Sequence, residues 1–174
     1  MWIFTYKTVK AVEYGVPQKR ERVIIVGFRK DLDIKFDFPN PVTPNQDDYV
    51  PLKKVIEHSV DEKYYFSQKA VDGMMKNRET MNKGRDQNLN EPCNTVGAHL
   101  AKVSLNSTDP VLMVGKRYRR FTPREVARIQ SFPDSFVLSE TEASQYKALG
   151  NAIPPVMFWY IMRSVKKSLE GNKL

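Results

Sequence analysis

Residues 22–28, Arg-Val-Ile-Ile-Val-Gly-Phe, form a short, uninterrupted apolar run that is rich in β-branched side chains. Such a run is typical of a strand that is buried on both faces, as in a parallel or mixed sheet. The chain offers one weaker strand candidate, near residues 3–12, and two strands cannot bury both faces of a sheet. The sequence therefore predicts an α/β fold in which this chain contributes only part of the sheet.

Composition places the chain among folded, basic proteins. Its 174 residues are 41% hydrophobic, which is enough to build a packed core. It has 28 Lys and Arg against 20 Asp and Glu, a net charge of +8 that suggests a polyanionic partner. The positive charge lies at the two ends, because residues 1–40 carry +3, residues 41–115 carry −1 and residues 116–174 carry +6.

Cysteine content and hydropathy limit the compartment. Cys93 is the only cysteine, so no intramolecular disulfide can form and nothing indicates an oxidising compartment. No apolar run approaches the roughly 20 residues that cross a bilayer, and the N-terminal residues lack the order of a signal peptide. We therefore expect a cytoplasmic protein without a membrane role.

The middle of the chain has weaker sequence patterns. Residues 39–51 are rich in Pro, Asn and Asp without apolar periodicity, which predicts a linker between two substructures. Residues 67–77 predict a helix with an apolar face formed by Ala70, Val71, Met74 and Met75. His58 and His99 have no partners at the spacing of metal ligands, so both are interpreted as structural or surface residues.

The last third predicts three helices. Thr122, Pro123 and Glu125 fit the N-cap, first and third positions of a capping box, which begins a helix running to about residue 130. Ser139 and Glu142 repeat this spacing, and a glycine at position 150 would end the second helix. The third helix follows Pro154-Pro155, and its spacing predicts an inward face of Phe158, Ile161, Met162, Val165 and Leu169.

Three segments carry a resemblance to a known family. They are Tyr-Gly-Val-Pro-Gln-Lys-Arg-Glu-Arg-Val at 14–23, Arg-Arg-Phe-Thr-Pro-Arg-Glu-Val-Ala-Arg-Ile-Gln-Ser-Phe-Pro-Asp at 119–134, and Tyr-Lys-Ala-Leu-Gly-Asn-Ala-Ile-Pro-Pro at 146–155. In this order they resemble the C-terminal motifs of the DNA cytosine-5 methyltransferases: Gln-x-Arg-x-Arg, the motif after the target-recognition region, and Gly-Asn-x-x-Pro-Pro. The resemblance covers essentially the whole chain.

The resemblance implies a fold and a division into domains. The fold is the C-terminal portion of a Rossmann-like, S-adenosylmethionine-dependent methyltransferase domain together with a small mixed α+β target-recognition domain. Residues 1–40 would end the catalytic domain, and residues 41–118 would form the recognition domain. Residues 119–174 would supply its docking helix and a C-terminal helix that returns to the catalytic domain.

The motifs that perform the family's chemistry do not precede the first segment here. The family's nucleophile lies in a Pro-Cys-Gln motif, a Glu-Asn-Val motif supplies a carboxylate at the target base, and a glycine-rich loop holds S-adenosylmethionine. Pro92-Cys93-Asn94 lies in the variable region instead, so Cys93 is interpreted as a structural residue. We expect the main cofactor site to lie outside this chain and the isolated chain to be inactive.

Two arginines lie next to the predicted strand. Alternation alone places Arg20 and Arg22 on the same side, and a solvated strand entry with a surface ion pair is the alternative. The resemblance implies that Arg20 contacts the DNA backbone near the target and that Arg22 reaches the flipped cytosine. The full set of predicted DNA-binding residues is Gln18, Arg20, Arg22, Lys83, Arg85, Arg119 and Arg120. The resemblance also implies that Asn151, with Ala152, helps to close the cofactor site, although a Gly-Asn pair is equally a common helix stop.

A second basic cluster precedes the capping box. Residues 116–120 with Arg124 and Arg128 could face phosphate at a helix N-terminus, or could be a solvated helix face. We favour a combination of the two interpretations. The segment would mainly dock the recognition region onto the rest of the protein, and the Glu125 side chain would cap the helix.

The favoured hypothesis is one part of a restriction-modification methyltransferase that supplies DNA recognition. Its partners would be double-stranded DNA and an N-terminal half or complementary subunit with the catalytic motifs. The alternative is a DNA-binding remnant or regulator without catalysis. A basic RNA-binding protein is disfavoured because the strand at 22–28 is apolar. An uncovered strand and C-terminal helix predict self-association of the isolated chain.

Overall fold

The computed structural model describes residues 1–76, 85–102, 109–139 and 141–171. The fold is mixed α/β, with short 3₁₀ turns between its regular elements. In chain order these elements are β1 (Trp2–Lys10), β2 (Gln18–Lys19), β3 (Glu21–Arg29), α1 (Gln68–Lys76), β4 (Cys93–Asn94), β5 (Leu112–Val114), β6 (Arg117–Arg119), α2 (Pro123–Ile129), α3 (Glu142–Asn151) and α4 (Pro155–Gly171).

Strands β1 and β3 form a two-stranded antiparallel hairpin. Their register runs from Trp2 opposite Arg29 to Lys10 opposite Glu21. The predicted strand at 22–28 is therefore confirmed, whereas its place in a parallel or mixed sheet and the burial of both its faces are wrong for the described residues, in which its one partner is the antiparallel β1. Val23 and Ile25, two positions apart on the same face of β3, are 61% and 65% exposed. An apolar run reports how much hydrophobic surface a strand offers, but it does not report which neighbour covers that surface.

One hydrophobic core joins the hairpin to the last helix. It contains Val9, Ala11, Tyr14 and Val16 from the N-terminal part and Met157 and Ile161 from α4. The predicted inward face of α4 is confirmed at Ile161, and Val165 is half-buried, but the prediction is wrong at Phe158, Met162 and Leu169, which are exposed. Apolar residues surround this helix on more than one side, so spacing alone could not identify the buried face.

A second core joins the middle segment, residues 52–112, to α2 and α3. Its fully buried members are Leu52, Cys93, Val96, Leu100, Leu112, Phe121, Val126, Ala127, Ile129, Tyr146 and Leu149. The predicted capping box of α2 is confirmed, since the Thr122 side chain accepts from the Glu125 N–H at 3.1 Å and the Glu125 carboxylate accepts from the Thr122 N–H at 2.9 Å. Helix α1 also forms where the spacing predicts it.

Helix α3 differs from its prediction at both ends. Thr141 and not Ser139 is the N-cap, since the Thr141 hydroxyl accepts from the Ser144 N–H. Gly150 lies inside the helix and does not end it. A Cβ added to Gly150 would lie 2.3 Å from backbone atoms of Gly97 and Ala98, so glycine is required there by close packing. Among the described helices, none is both long and apolar enough to cross a membrane.

Candidate functional site

Strand β2 attaches the N-terminal part to residues 93–98, which comprise β4 and the residues that follow it and are here called the junction loop. The two strands pair in parallel, with Gln18 opposite Cys93 and Lys19 opposite Asn94. The Cys93 N–H donates to the Pro17 carbonyl at 3.0 Å, and the Thr95 hydroxyl donates to the Lys19 carbonyl at 3.0 Å. The junction loop is therefore held by the same stretch that contains Gln-x-Arg-x-Arg.

Gln18 lies entirely inside this contact. Its side-chain oxygen accepts from the Val96 N–H at 3.0 Å, and its amide nitrogen donates to the Gln130 side-chain oxygen at 3.0 Å. Gln130 in turn donates to the Leu149 carbonyl at 2.6 Å. Two buried glutamines thus connect β2, the end of α2 and the end of α3, and neither amide is left without a partner.

Arg20 is buried beside them, whereas Arg22 is exposed. The Arg20 guanidinium is 4% exposed and donates to the Val96 carbonyl at 3.2 Å and to the Gly150 carbonyl at 3.3 Å. Burial lowers the pKa of Arg20, and the nearby positive charge of Arg22 lowers it further. The prediction that both arginines project to one side is wrong, because the chain leaves the strand ladder at residue 20, between β2 and β3.

Arg119 forms a buried ion pair at the start of α2. Its two terminal nitrogens each lie 2.7 Å from a Glu125 oxygen, and the side chains are 1% and 0% exposed. The Glu125 carboxylate also accepts from the Glu57 N–H at 2.8 Å. Capping therefore accounts for only part of the role of Glu125. The Arg119 fork faces the protein interior and binds a carboxylate there.

The remaining cations of the second basic cluster are mostly paired at the surface. Arg120 donates to the Ala101 carbonyl at 3.2 Å and lies 3.5 Å from a Glu142 oxygen. Glu142 also accepts from Lys63 and from the Tyr64 hydroxyl. These two bonds, with Lys63 the larger cause, lower the pKa of Glu142.

The other arginines of this cluster also have partners. Arg117 pairs with Glu62, Arg128 with Asp134, and Arg124 donates to the Phe136 carbonyl. This edge is thus neutralised to a greater extent than the sequence suggests.

The other predicted site residues have varied environments. Arg85 is buried and donates to the Asp109 carbonyl at 2.9 Å. Lys83 lies outside the described residues. Asn151 ends α3 with an exposed side chain, and Ala152 is its half-buried C-cap. Among the predicted DNA-binding residues that the structure describes, Arg22 is therefore the exposed one, and its guanidinium donates to the Glu21 carbonyl at 2.6 Å.

Cys93 is fully buried in the larger core. Burial raises the pKa of its thiol far above the ordinary value, which disfavours a reactive thiolate. The interpretation of Cys93 as a structural residue is confirmed.

Comparison with known proteins decides the family. The family described as C-5 cytosine-specific DNA methylase matches residues 2–167. The chain belongs to this family. It is 35% identical over 190 residues to Type II methyltransferase M.NgoPII of Neisseria gonorrhoeae, covering 95% of this chain and 56% of that protein. It is 33% identical to Type II methyltransferase M.MthTI of Methanothermobacter thermautotrophicus, covering 95% and 57%. This C-5 cytosine methylase chain therefore spans little more than half the length of these relatives.

Solved structures support the fold of this methylase chain. The Entamoeba histolytica methyltransferase EhMeth aligns with a TM-score of 0.72 at 16% identity, over 97% of this chain and 54% of that one. The Dnmt2 methyltransferase of S. pombe aligns with a TM-score of 0.72 at 18% identity, over 97% and 58%. At these identities the likeness concerns the fold alone.

Proposed function

We propose that this chain supplies the DNA-recognition and C-terminal part of a DNA (cytosine-5-)-methyltransferase of a restriction-modification system. The complete enzyme would transfer a methyl group from S-adenosylmethionine to C5 of cytosine in duplex DNA. The catalytic cysteine and glutamate would come from a complementary part, in the same or a separate polypeptide. The observation that carries the proposal is the attachment of the junction loop to the Gln-x-Arg-x-Arg stretch through Gln18 and Arg20.

DNA cytosine methylation requires an enzyme that holds a distorted duplex. The target ring is stacked in duplex DNA, so the base must leave the helix while the enzyme holds the distorted backbone. We assign this contact to exposed Arg22 and to the recognition segment around Lys83, whereas Arg85 supports that segment from within, because it is buried and donates to the Asp109 carbonyl. Arg20, Gln18 and Arg119 take a supporting role, because their polar groups bind the protein interior.

The two cores suggest how the chain is divided. Residues 1–40 pack with α4, and we assign both to the catalytic frame. Residues 41–118 pack with α2 and α3, and we assign these to the recognition domain and its docking support. Lys166 and Lys167, near the end of α4, are exposed.

S-adenosylmethionine would bind mainly to the complementary part. Asn151 offers one exposed amide at the end of α3, beside Gly150, and Ala152 continues this edge. One amide can orient a polar group of a ligand, but it cannot enclose a cofactor of that size. When bound, the cofactor supplies the methyl group, and this chain would contribute a hydrogen bond at the rim of the site.

The outer face of the hairpin is the surface that the complementary part would cover. This face carries five exposed apolar side chains: Trp2, Phe4, Tyr6, Val23 and Ile25. Tyr6 lies opposite Ile25 across the two strands, so the apolar surface is continuous. More than two-fifths of the length of the curated relatives has no counterpart in this chain, since the chain covers 56% of one and 57% of the other. A continuous apolar sheet face of this kind is typical of a packing surface.

The test is reconstitution of methyl transfer. We expect no transfer from labelled S-adenosylmethionine to duplex DNA by the chain alone, and transfer when the complementary part with Pro-Cys-Gln and Glu-Asn-Val is added. The Ile25→Lys variant should reduce the yield of reconstitution at least tenfold, because it places a charge in the apolar contact. It should also reduce self-association of the isolated chain in sedimentation experiments.

A matched control is Leu32→Lys, an exposed apolar position outside the hairpin strands. This variant should reconstitute like the unchanged chain. Absence of methyl transfer from a folded mixture would contradict the proposed function. Full activity with Ile25→Lys would contradict the assignment of the hairpin face as the docking surface.

A further inference from the structure

A relay of buried amides crosses the structure between the junction loop and the end of α3. The Val96 N–H donates to the Gln18 oxygen at 3.0 Å, the Gln18 nitrogen donates to the Gln130 oxygen at 3.0 Å, and the Gln130 nitrogen donates to the Leu149 carbonyl at 2.6 Å. Both glutamine side chains are 0% exposed. Water therefore does not compete for these bonds, and each amide has one partner on each side.

The relay has a fixed direction. The Val96 N–H can only donate and the Leu149 carbonyl can only accept, so each glutamine must present its oxygen toward Val96 and its nitrogen toward Leu149. A rotation of either amide by half a turn would place two donors or two acceptors face to face. A buried mismatch of this kind leaves both groups unsatisfied.

The same two segments are also in direct backbone contact. Gly150 lies so close to Gly97 and Ala98 that no Cβ could be accommodated without movement. Arg20 donates to the Val96 carbonyl on one side and to the Gly150 carbonyl on the other. The relay therefore fixes a contact that has almost no room to slide.

We infer that Gln130 is a positioning residue that acts through Gln18 to set the junction loop in register with the end of α3. This rests on the proposed function, in which the attachment of the junction loop to the Gln-x-Arg-x-Arg stretch supports the DNA contact and Asn151 lies at the rim of the cofactor site. Gln130 touches neither DNA nor cofactor in this assignment. Its role is to hold the junction loop and the end of α3 at a fixed distance from each other.

A pH profile of the Gln130→Glu variant tests the direction of the relay. A protonated carboxyl has one donor and one acceptor, like the amide, whereas a carboxylate has no donor for the Leu149 carbonyl. Burial and the facing carbonyl would raise the pKa of the introduced carboxyl above its ordinary value of about 4.3. The variant should therefore match the unchanged chain below about pH 4.

Stability should then be lost as the pH rises through the raised folded-state pKa. Between about pH 4.3, the ordinary pKa of the carboxyl in the unfolded chain, and the raised pKa in the folded chain, the unfolding equilibrium constant of the variant should increase relative to that of the unchanged chain. The increase should reach about tenfold per pH unit. Denaturant unfolding at a series of pH values measures this ratio. A ratio that does not change with pH would overturn the directional relay.

Hydrogen exchange separates positioning from a general loss of stability. Gln130→Met has a similar shape but no amide, and Gln145→Met is its control at a half-buried position of α3, where the amide donates to the Ser139 carbonyl and lies outside the relay. We expect exchange to accelerate at least tenfold in peptides that cover residues 93–98 and 146–152, with β5 and β6 unchanged. Equal acceleration in every segment, or no change in these two, would overturn the inference.

A DNA-binding measurement connects the relay to the proposed function. In the reconstituted complex, Gln130→Met should weaken duplex binding at least tenfold, and Gln145→Met should leave it unchanged. If the unchanged complex does not bind DNA, the proposed function fails, while the exchange and pH experiments still decide the positioning of the loop. Unaltered binding by Gln130→Met would overturn the functional role of the relay.

Discussion

Replacing Arg119 with methionine lowers the free energy of unfolding by about 3–5 kcal/mol, the range for breaking a buried ion pair from one side. The loss arises because the Glu125 carboxyl, at a site that is 0% exposed, would lose the paired bonds of 2.7 Å from the guanidinium. Urea unfolding followed by circular dichroism measures the change.

Two further variants isolate the cause. The double variant Arg119→Met, Glu125→Gln should recover part of the loss, because the amide is neutral and its one oxygen can still accept from one of the two N–H groups, of Thr122 or of Glu57, that now bind separate carboxylate oxygens. Arg128→Met removes an exposed pair with Asp134 and should cost about 0–1 kcal/mol. Equal small losses at Arg119 and Arg128 would contradict the buried pair.

Replacing Gly150 with alanine costs about 3 kcal/mol or more, at the upper end of what overpacking a core costs. The added Cβ would lie 2.3 Å from Gly97 and Ala98 atoms, and these belong to the backbone, so no side chain can rotate away. The junction loop must therefore move relative to α3. Thermal unfolding and urea unfolding both measure the loss.

Gly171→Ala is the matched control, since this glycine is also helical and has nothing within 4 Å of an added Cβ. It should be neutral or slightly stabilising, because alanine has the higher helix propensity. If Gly150→Ala unfolds at the same denaturant concentration as Gly171→Ala, the close approach of α3 to the junction loop is contradicted.

Local features of this chain could be predicted because their causes are local. The capping box at Thr122 and Glu125 involves residues three apart, and the strand at 22–28 follows from its β-branched composition. Such features depend on interactions within a few residues, which sequence patterns record directly.

The supporting side chains could not be predicted from local patterns. Gln18 and Gln130 are 112 positions apart, and Arg20 and Gly150 are 130 apart, so no spacing rule connects them. Gly150 looks like a helix stop because glycine serves both helix ends and close backbone contacts. The motifs identified the important positions, but a motif does not say whether an arginine faces DNA or the interior.

The central claim is that this chain determines the DNA target while a complementary part performs the chemistry. The most direct test joins this chain to the unmatched part of M.NgoPII and, separately, to that of M.MthTI, and maps methylated cytosines in the host DNA by bisulfite sequencing. The account predicts that both hybrids methylate one and the same sequence. Targets that follow the source of the joined part, or folded hybrids that methylate nothing, would contradict it.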